Sequence, residues 1–248
     1  MKAIAALIFF TRLPLYRWFE VPGEYYKNLV AWWSMAGWLT ASLTAGTLWV
    51  SALLLPYPVA VILAMTVRLL FTGALHEDGL ADFFDGFGGG RTKERILAIM
   101  KDSHIGTYGV IGLIFYFALW FALISSLTPL QAVITILVAD PGAKFISSLI
   151  INRLPYARKE EESKAQVIYT PMNMKEVLTT AVFGLLPLLL LLSPLNWMVM
   201  VAPAAFLLLF SNYLKKRIGG YTGDCCGALF LFNEIIIITS LICIYQWN

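Results

Sequence analysis

The sequence predicts an all-α, polytopic membrane bundle of about seven transmembrane helices, preceded by an interfacial or re-entrant N-terminal helix. Three observations carry this expectation. Only 13% of the 248 residues are charged and 59% are hydrophobic, whereas a soluble domain carries about 25% charge. The mean hydropathy is +0.75. The basic residues also sort into alternate connecting segments, as set out below. No polar segment is long enough to build a core of its own, so residues 1–248 are expected to form a single integral domain. The net charge of +3 is too small to suggest a nucleic acid partner. Membrane lipid is the partner that the composition implies.

Residues 1–10 are apolar but too short to span. Arg12, Tyr16, Arg17 and Trp18 suit the headgroup boundary, and no small-residue cleavage site marks a signal peptide. A span needs about 20 apolar residues. Residues 31–55 supply the first without a charge, Pro56 to Pro58 turn the chain, and residues 59–75 return carrying Arg68. After the polar stretch 76–108, residues 109–127 cross, Thr128 and Pro129 turn, and residues 130–151 come back with Asp140 and Lys144 inside. The second polar stretch, 152–176, places Glu160, Glu161 and Glu162 among Arg158, Lys159 and Lys164, which reads as a solvated loop. Residues 177–192 and 197–210 form the next pair, and the polar stretch 211–226 leads to the last span, 227–247. Cys225, Cys226 and Cys243 match no zinc spacing or disulfide framework and read as small apolar fillers.

The N-terminal tail and the three polar stretches hold every Lys and Arg except Arg68 and Lys144, which lie inside spans. The opposite turns and the C-terminus hold none. By the positive-inside rule the polar stretches are cytoplasmic, with the N-terminus in and the C-terminus out.

The chemistry concentrates in His76-Glu77-Asp78-Gly79-Leu80-Ala81-Asp82-Phe83-Phe84-Asp85-Gly86. Asp78, Asp82 and Asp85 stand at i, i+4 and i+7, within about 60° of one helical face. Leu80, Phe83 and Phe84 take the opposite face and can pack inward. An acidic stripe weakens its own helix, so a positive partner is expected. A hard divalent cation, completed by waters and substrate phosphates, is the natural one. Gly86, Gly88, Gly89 and Gly90 follow, then Arg91, Lys93 and Arg95. Glycines allow close approach of a phosphate and the bases supply charge, so the whole reads as a pyrophosphate site. Lys101 and His104 are further candidate substrate contacts, and Asp102 a candidate metal ligand or general base. Asp224 reads locally as the N-cap of the last helix.

Arg68, Asp140, Lys144 and Glu234 lie about 10–17 Å from the cytoplasmic ends of their helices and must face the bundle interior. They either neutralise one another, Asp140 with Lys144 and Arg68 with Glu234, or line a polar cavity open to the cytoplasm. The cavity is the favoured expectation.

The central block from His76 to Gly86, the segment Ile99-Met100-Lys101-Asp102-Ser103-His104-Ile105-Gly106-Thr107-Tyr108-Gly109 and Gly220-Tyr221-Thr222-Gly223-Asp224 resemble the cobalamin 5′-phosphate synthase family, the adenosylcobinamide-GDP ribazoletransferases. Phe10-Thr11-Arg12-Leu13-Pro14 and Leu154-Pro155-Tyr156-Ala157-Arg158 match in place and order. Glu77 departs from the apolar residue common in that family. The resemblance implies a Mg²⁺-dependent enzyme of the cytoplasmic (inner) membrane, acting at its cytoplasmic face in the last steps of cobalamin biosynthesis. Its substrates would be adenosylcobinamide-GDP and α-ribazole or α-ribazole 5′-phosphate. A ribose hydroxyl would attack the cobinamide-linked phosphorus, and GMP would leave. On this reading Asp78, Asp82 and Asp85 bind Mg²⁺, while Arg91, Lys93, Arg95, Lys101 and His104 contact substrate. Asp82, Asp102 and Asp224 are the catalytic candidates, and self-association is left open.

Two other classes fit less well. The Ala-Arg of CDP-alcohol phosphotransferases and the paired Asn-Asp-x-x-x-Asp-type motifs of polyprenyl transferases are absent. A secondary transporter using Asp140 and Glu234 would be expected to show repeated halves, and no repeat is evident.

Overall fold

The computed structural model describes residues 1–158, 169–191 and 193–247. Lys159, Lys164 and the three glutamates between them fall outside the described residues. Within these bounds the fold is α1 (Lys2–Phe10), α2 (Trp33–Ala52), α3 (Tyr57–Thr72), α4 (Leu75–Gly89), α5 (Lys93–Ile99), α6 (Thr107–Ser125), α7 (Pro129–Ser148), α8 (Met174–Leu185), α9 (Val201–Ile218) and α10 (Gly223–Trp247). A run of 3₁₀ turns, Gly23–Trp32, leads into α2. Among the described residues there is no strand, only a single parallel bridge between Tyr156 and Tyr221.

Helix α7 is the central post. It packs most extensively on α2, then on α10 and α8. Small residues make the α2 contact possible: Ala36, Gly37, Thr40, Ala41, Thr44 and Ala45 are all buried. At Gly37 a Cβ would stand 3.0 Å from the Cα of Pro141, the close approach that small residues permit between membrane helices. Helices α6 and α9 lie outermost. Val110, Ile111, Ile114, Phe115 and Leu119 of α6, and Leu208 and Leu209 of α9, are exposed. Apolar faces of this extent suit lipid rather than water.

Four helical stretches among the described residues are long and apolar enough to cross a membrane: Thr107–Ser125, Pro129–Asn152, Pro194–Ile218 and Gly223–Gln246. The pair α3 and α4 adds a fifth if counted as one broken span. The polar stretch 76–108 is thus not simply a loop, because its first half is a packed helix. Gly73 ends α3 in the left-handed region at φ 67°, which costs a glycine little. Ala74 follows at φ 55°, and the chain turns by 90° into α4.

α4 lies against α10 and α6. As its periodicity predicts, Leu80 and Phe83 are buried. The Phe83 ring lies 4.5 Å from Phe87, 5.3 Å from Phe210 and 5.8 Å from Phe232. The short α1, as expected, is too brief to span. It docks on Gly23–Trp32 and buries Ala5, Ala6 and Phe10. Cys225 and Cys226 are buried fillers, while Cys243 is exposed.

The charges at membrane depth are closed ion pairs, which corrects the expected water-open cavity. Arg68 Nη1 lies 2.6 Å from Glu234 Oε1, and Tyr116 donates to Glu234 Oε2 at 2.8 Å while accepting from Arg68 Nη2 at 3.1 Å. Lys144 Nζ lies 2.6 Å from Asp140 Oδ1 and donates to Thr40 Oγ1 at 2.8 Å. Thr40 in turn donates to Asp140 Oδ2 at 2.9 Å. The Phe230 ring sits 4.9 Å from Lys144 Nζ and 5.6 Å from Arg68 Cζ, within cation–π range of both. Threonine and tyrosine from neighbouring helices supply the hydrogen bonds that make a buried pair tolerable.

Candidate active site

The close approach of α4 to α10 builds the site. At Gly79 a Cβ would meet the Cα of Asp224 at 3.0 Å, so only a glycine lets the two helix starts touch. Asp78 and Asp224 thereby line one cavity of about 320 Å³, walled by α1, the start of α2, and Tyr156, Arg158 and Tyr169.

Asp224 is not the N-cap of α10. Thr222 fills that role, its Oγ1 accepting from Cys225 N at 3.3 Å. Asp224 sits in the first turn of α10, where the helix dipole favours a carboxylate.

Arg158 is the residue that sequence reasoning missed. It entered there only as a charge in a loop and as the last residue of a matching segment. The structure fixes it by backbone pairing: Ala157 N donates to Tyr221 O at 2.8 Å and Tyr221 N to Pro155 O at 3.0 Å. Its guanidinium is buried, with Nη1 3.7 Å from Asp224 Oδ2 and Nη2 donating to Leu97 O at 3.3 Å.

The three aspartates of α4 share a helix, as their spacing predicts, but not an environment. Asp78 is exposed to the cavity, and Asp82, a turn further on, is half-buried. Asp85 is only 7% exposed. Its Oδ2 accepts from Gly106 N at 2.7 Å and its Oδ1 from Gly109 N at 2.8 Å, so it caps α6. Asp85→Asn turns one acceptor into a donor facing an N–H. The variant is expected to lose about 1–2 kcal/mol of unfolding free energy, measured by chemical denaturation in detergent micelles.

Among the described residues no group of three or more His, Cys, Asp or Glu side chains is placed to hold a metal ion by itself. The donors that the cavity offers are the hard oxygens of Asp78 and Asp224. That set fits Mg²⁺, which is commonly held by one or two carboxylates plus waters and substrate phosphates.

The basic candidates divide between two further clefts. Lys93 and Lys101 line an open cleft of about 610 Å³ that shares Arg158 with the acidic cavity. Arg95, Asp102 and His104 line another, of about 370 Å³, with Asp85 and Gly106. There Asp102 Oδ1 accepts from His104 N at 3.0 Å and pairs with its ring Nδ1 at 2.7 Å. These bonds, the backbone one foremost, hold the Asp102 carboxyl below the usual carboxylate range. His104 is 91% exposed. Arg91 is exposed at the turn before α5, a turn tied to α9 by Arg217 Nη2, which donates to Gly90 O at 2.9 Å.

Residues 2–242 match the family model described as cobalamin-5-phosphate synthase. A Shewanella baltica (strain OS185) protein named adenosylcobinamide-GDP ribazoletransferase is 36% identical over 94% of this chain and 90% of its own. A Vibrio parahaemolyticus protein of the same name is 36% identical over 98% of this chain and 92% of its own. One from Shewanella frigidimarina is 33% identical over 93% and 89%. No solved structure matches the chain.

Proposed function

The chain belongs to the cobalamin-5-phosphate synthase family, and from that premise we propose that it catalyses the reaction its relatives are named for. The adenosylcobinamide phosphate moiety of adenosylcobinamide-GDP passes to α-ribazole or α-ribazole 5′-phosphate, and GMP is released. One observation carries this reading. Asp78 and Asp224 face one cavity, and Arg158 connects it to a cleft lined by Lys93 and Lys101. Acids for a metal and bases for a diphosphate thus meet at a single guanidinium.

Asp78 and Asp224, the two carboxylates of the cavity, would hold Mg²⁺, with Asp82 one turn further along α4 as an additional ligand. When bound, the ion supplies charge neutralisation across the diphosphate oxygens. Lys93 and Lys101 attract the GDP moiety by charge, and Arg158 offers a planar donor set to a phosphate oxygen. Asp224 takes the proton of the ribose hydroxyl as its oxygen bonds to the cobinamide-linked phosphorus and the bond to GMP breaks. Asp102, bonded to His104 in a separate cleft, is the weaker choice for that role. Asp85, bonded to α6, leaves the metal set.

We read α2 and residues 174–190 as two further spans, giving seven in an inner membrane with the site on the cytoplasmic side. The sorting of basic residues supports that orientation.

The test uses the full chain in lipid vesicles with adenosylcobinamide-GDP. GMP release that requires both α-ribazole and Mg²⁺ is the expected result. Substrate accumulation in the vesicles without GMP would instead support a transporter and overturn the reading.

A further inference from the structure

Metal and phosphate chemistry leaves most of the acidic cavity unused. Beside Asp78, Asp224 and Arg158 its wall is aromatic: Phe9, Phe10, Trp33, His76, Tyr156 and Tyr169. Three of these rings are held nearly parallel. Phe10 and His76 each lie within 15° of the Trp33 plane, at centroid distances of 5.3 and 5.5 Å. Trp33 Nε1 donates to His76 Nε2 at 3.2 Å, and Phe230 stands edge-on behind His76 at 4.7 Å. These three rings are 2–5% exposed and pack on one another, so they form a rigid back wall. Phe9 and Tyr156, half-buried, present more of their rings to the cavity, an aromatic lining of the kind that accepts a flat π-system.

Size narrows the occupant. A cavity of about 320 Å³ lies at the small-ligand end of the range of about 300–1,000 Å³, too small for a corrinoid. Polarity narrows it further. The polar groups, Asp78, Asp224 and Arg158, are few beside an otherwise aromatic and apolar wall. This suits a ribose next to a base such as a benzimidazole, whose ring has no amide or amino edge to pair. A last observation points to a ligand at the rim. Arg158 Nε is buried without a hydrogen bond, on a side chain only 3% exposed. An unmet buried donor is costly, and an arriving oxygen acceptor would satisfy it.

We propose that this cavity is the binding site of the acceptor nucleoside. Its flat base lies between Phe9 and Tyr156 over the back wall of Phe10, Trp33 and His76, its ribose points to Asp78 and Asp224, and Arg158 Nε donates to a ribose or phosphate oxygen. The proposal rests on the transferase reading above and assigns the two substrates to different spaces, the acceptor to the smaller, aromatic cavity and the diphosphate donor to the larger cleft across Arg158. It also gives α1 a task, since Phe9 and Phe10 close the cavity from that helix.

The test is calorimetric titration of the detergent-solubilised full chain with α-ribazole and, separately, with adenosylcobinamide-GDP. Val30, 3% exposed, lines the cavity, and Val30→Phe fills it. Phe9 is half-buried on its wall, and Phe9→Ala removes a ring with less risk to folding. Each variant is expected to weaken α-ribazole binding by about tenfold or more, the scale of discrimination in an apolar pocket, and to leave donor binding within about twofold. Unchanged α-ribazole affinity in both variants, or loss of donor affinity instead, overturns the proposal. Binding is read without turnover, so wild-type chain that binds α-ribazole in the cavity yet releases no GMP would sink the reaction and keep the site.

Discussion

Asp78→Asn and Asp82→Asn are each expected to lower the rate of GMP release by about a thousandfold, the upper range for removing one electrostatic contact to a transition state. Asparagine keeps the shape and loses the charge, so the diphosphate would meet a metal held by one carboxylate fewer. Folding should be nearly indifferent to Asp78→Asn. Asp78 is exposed, and its favourable place in the first turn of α4 is offset by repulsion from Asp82 four residues on. The net change in stability is expected to stay below about 1 kcal/mol. The diagnostic result is therefore a split: loss of GMP release from vesicles with an unaltered melting transition, and a residual rate that saturates at higher Mg²⁺. Normal turnover in Asp82→Asn would remove the metal assignment altogether.

The helix that carries those aspartates was legible from spacing alone, because a period of 3.6 residues is a local property. What each aspartate does was not. Asp85 differs from Asp78 only through partners 21 and 24 residues downstream, Gly106 and Gly109, and no periodicity reports on a contact at that separation. The same reason hid Arg158, whose place depends on pairing between Pro155, Ala157 and Tyr221. Asp224 misled in the opposite sense. Its type and position suit an N-cap, but Thr222, two residues earlier, takes the cap and leaves Asp224 to the cavity. Hydropathy found the outer helices readily, and α6 is among the most apolar. It is less decisive for α2, whose buried face of Ser34, Thr40 and Thr44 is chosen for packing and hydrogen bonding. The pairing of Asp140 with Lys144 was legible at i, i+4. That the pair is closed to water depended on Thr40 of another helix.

Arg68→Met is expected to destabilise the chain by about 3–5 kcal/mol, the cost of removing one partner from a buried ion pair. Arg68 pairs with both Glu234, at 2.6 Å, and Glu77, at 3.6 Å. All three residues are at most 6% exposed. Glu77 is already poorly provided for, since its Oε2 makes no hydrogen bond. Without Arg68 both carboxyls would have to bind protons or draw water into the bundle, and Tyr116 could satisfy only one oxygen of Glu234. The loss should be read by equilibrium unfolding in mixed micelles. Its origin is tested by removing the stranded partners as well. A chain with Arg68→Met, Glu77→Leu, Glu234→Leu and Tyr116→Phe together should recover most of the stability, because apolar replacement of a whole buried network is often neutral. Wild-type stability in Arg68→Met alone would show that the network is dispensable. The recovered variant also separates scaffold from chemistry. Glu77 precedes Asp78 on α4, so regained GMP release would mean that packing alone holds the aspartates in place, whereas stability without activity would mean that the Arg68 network sets their position in the cavity.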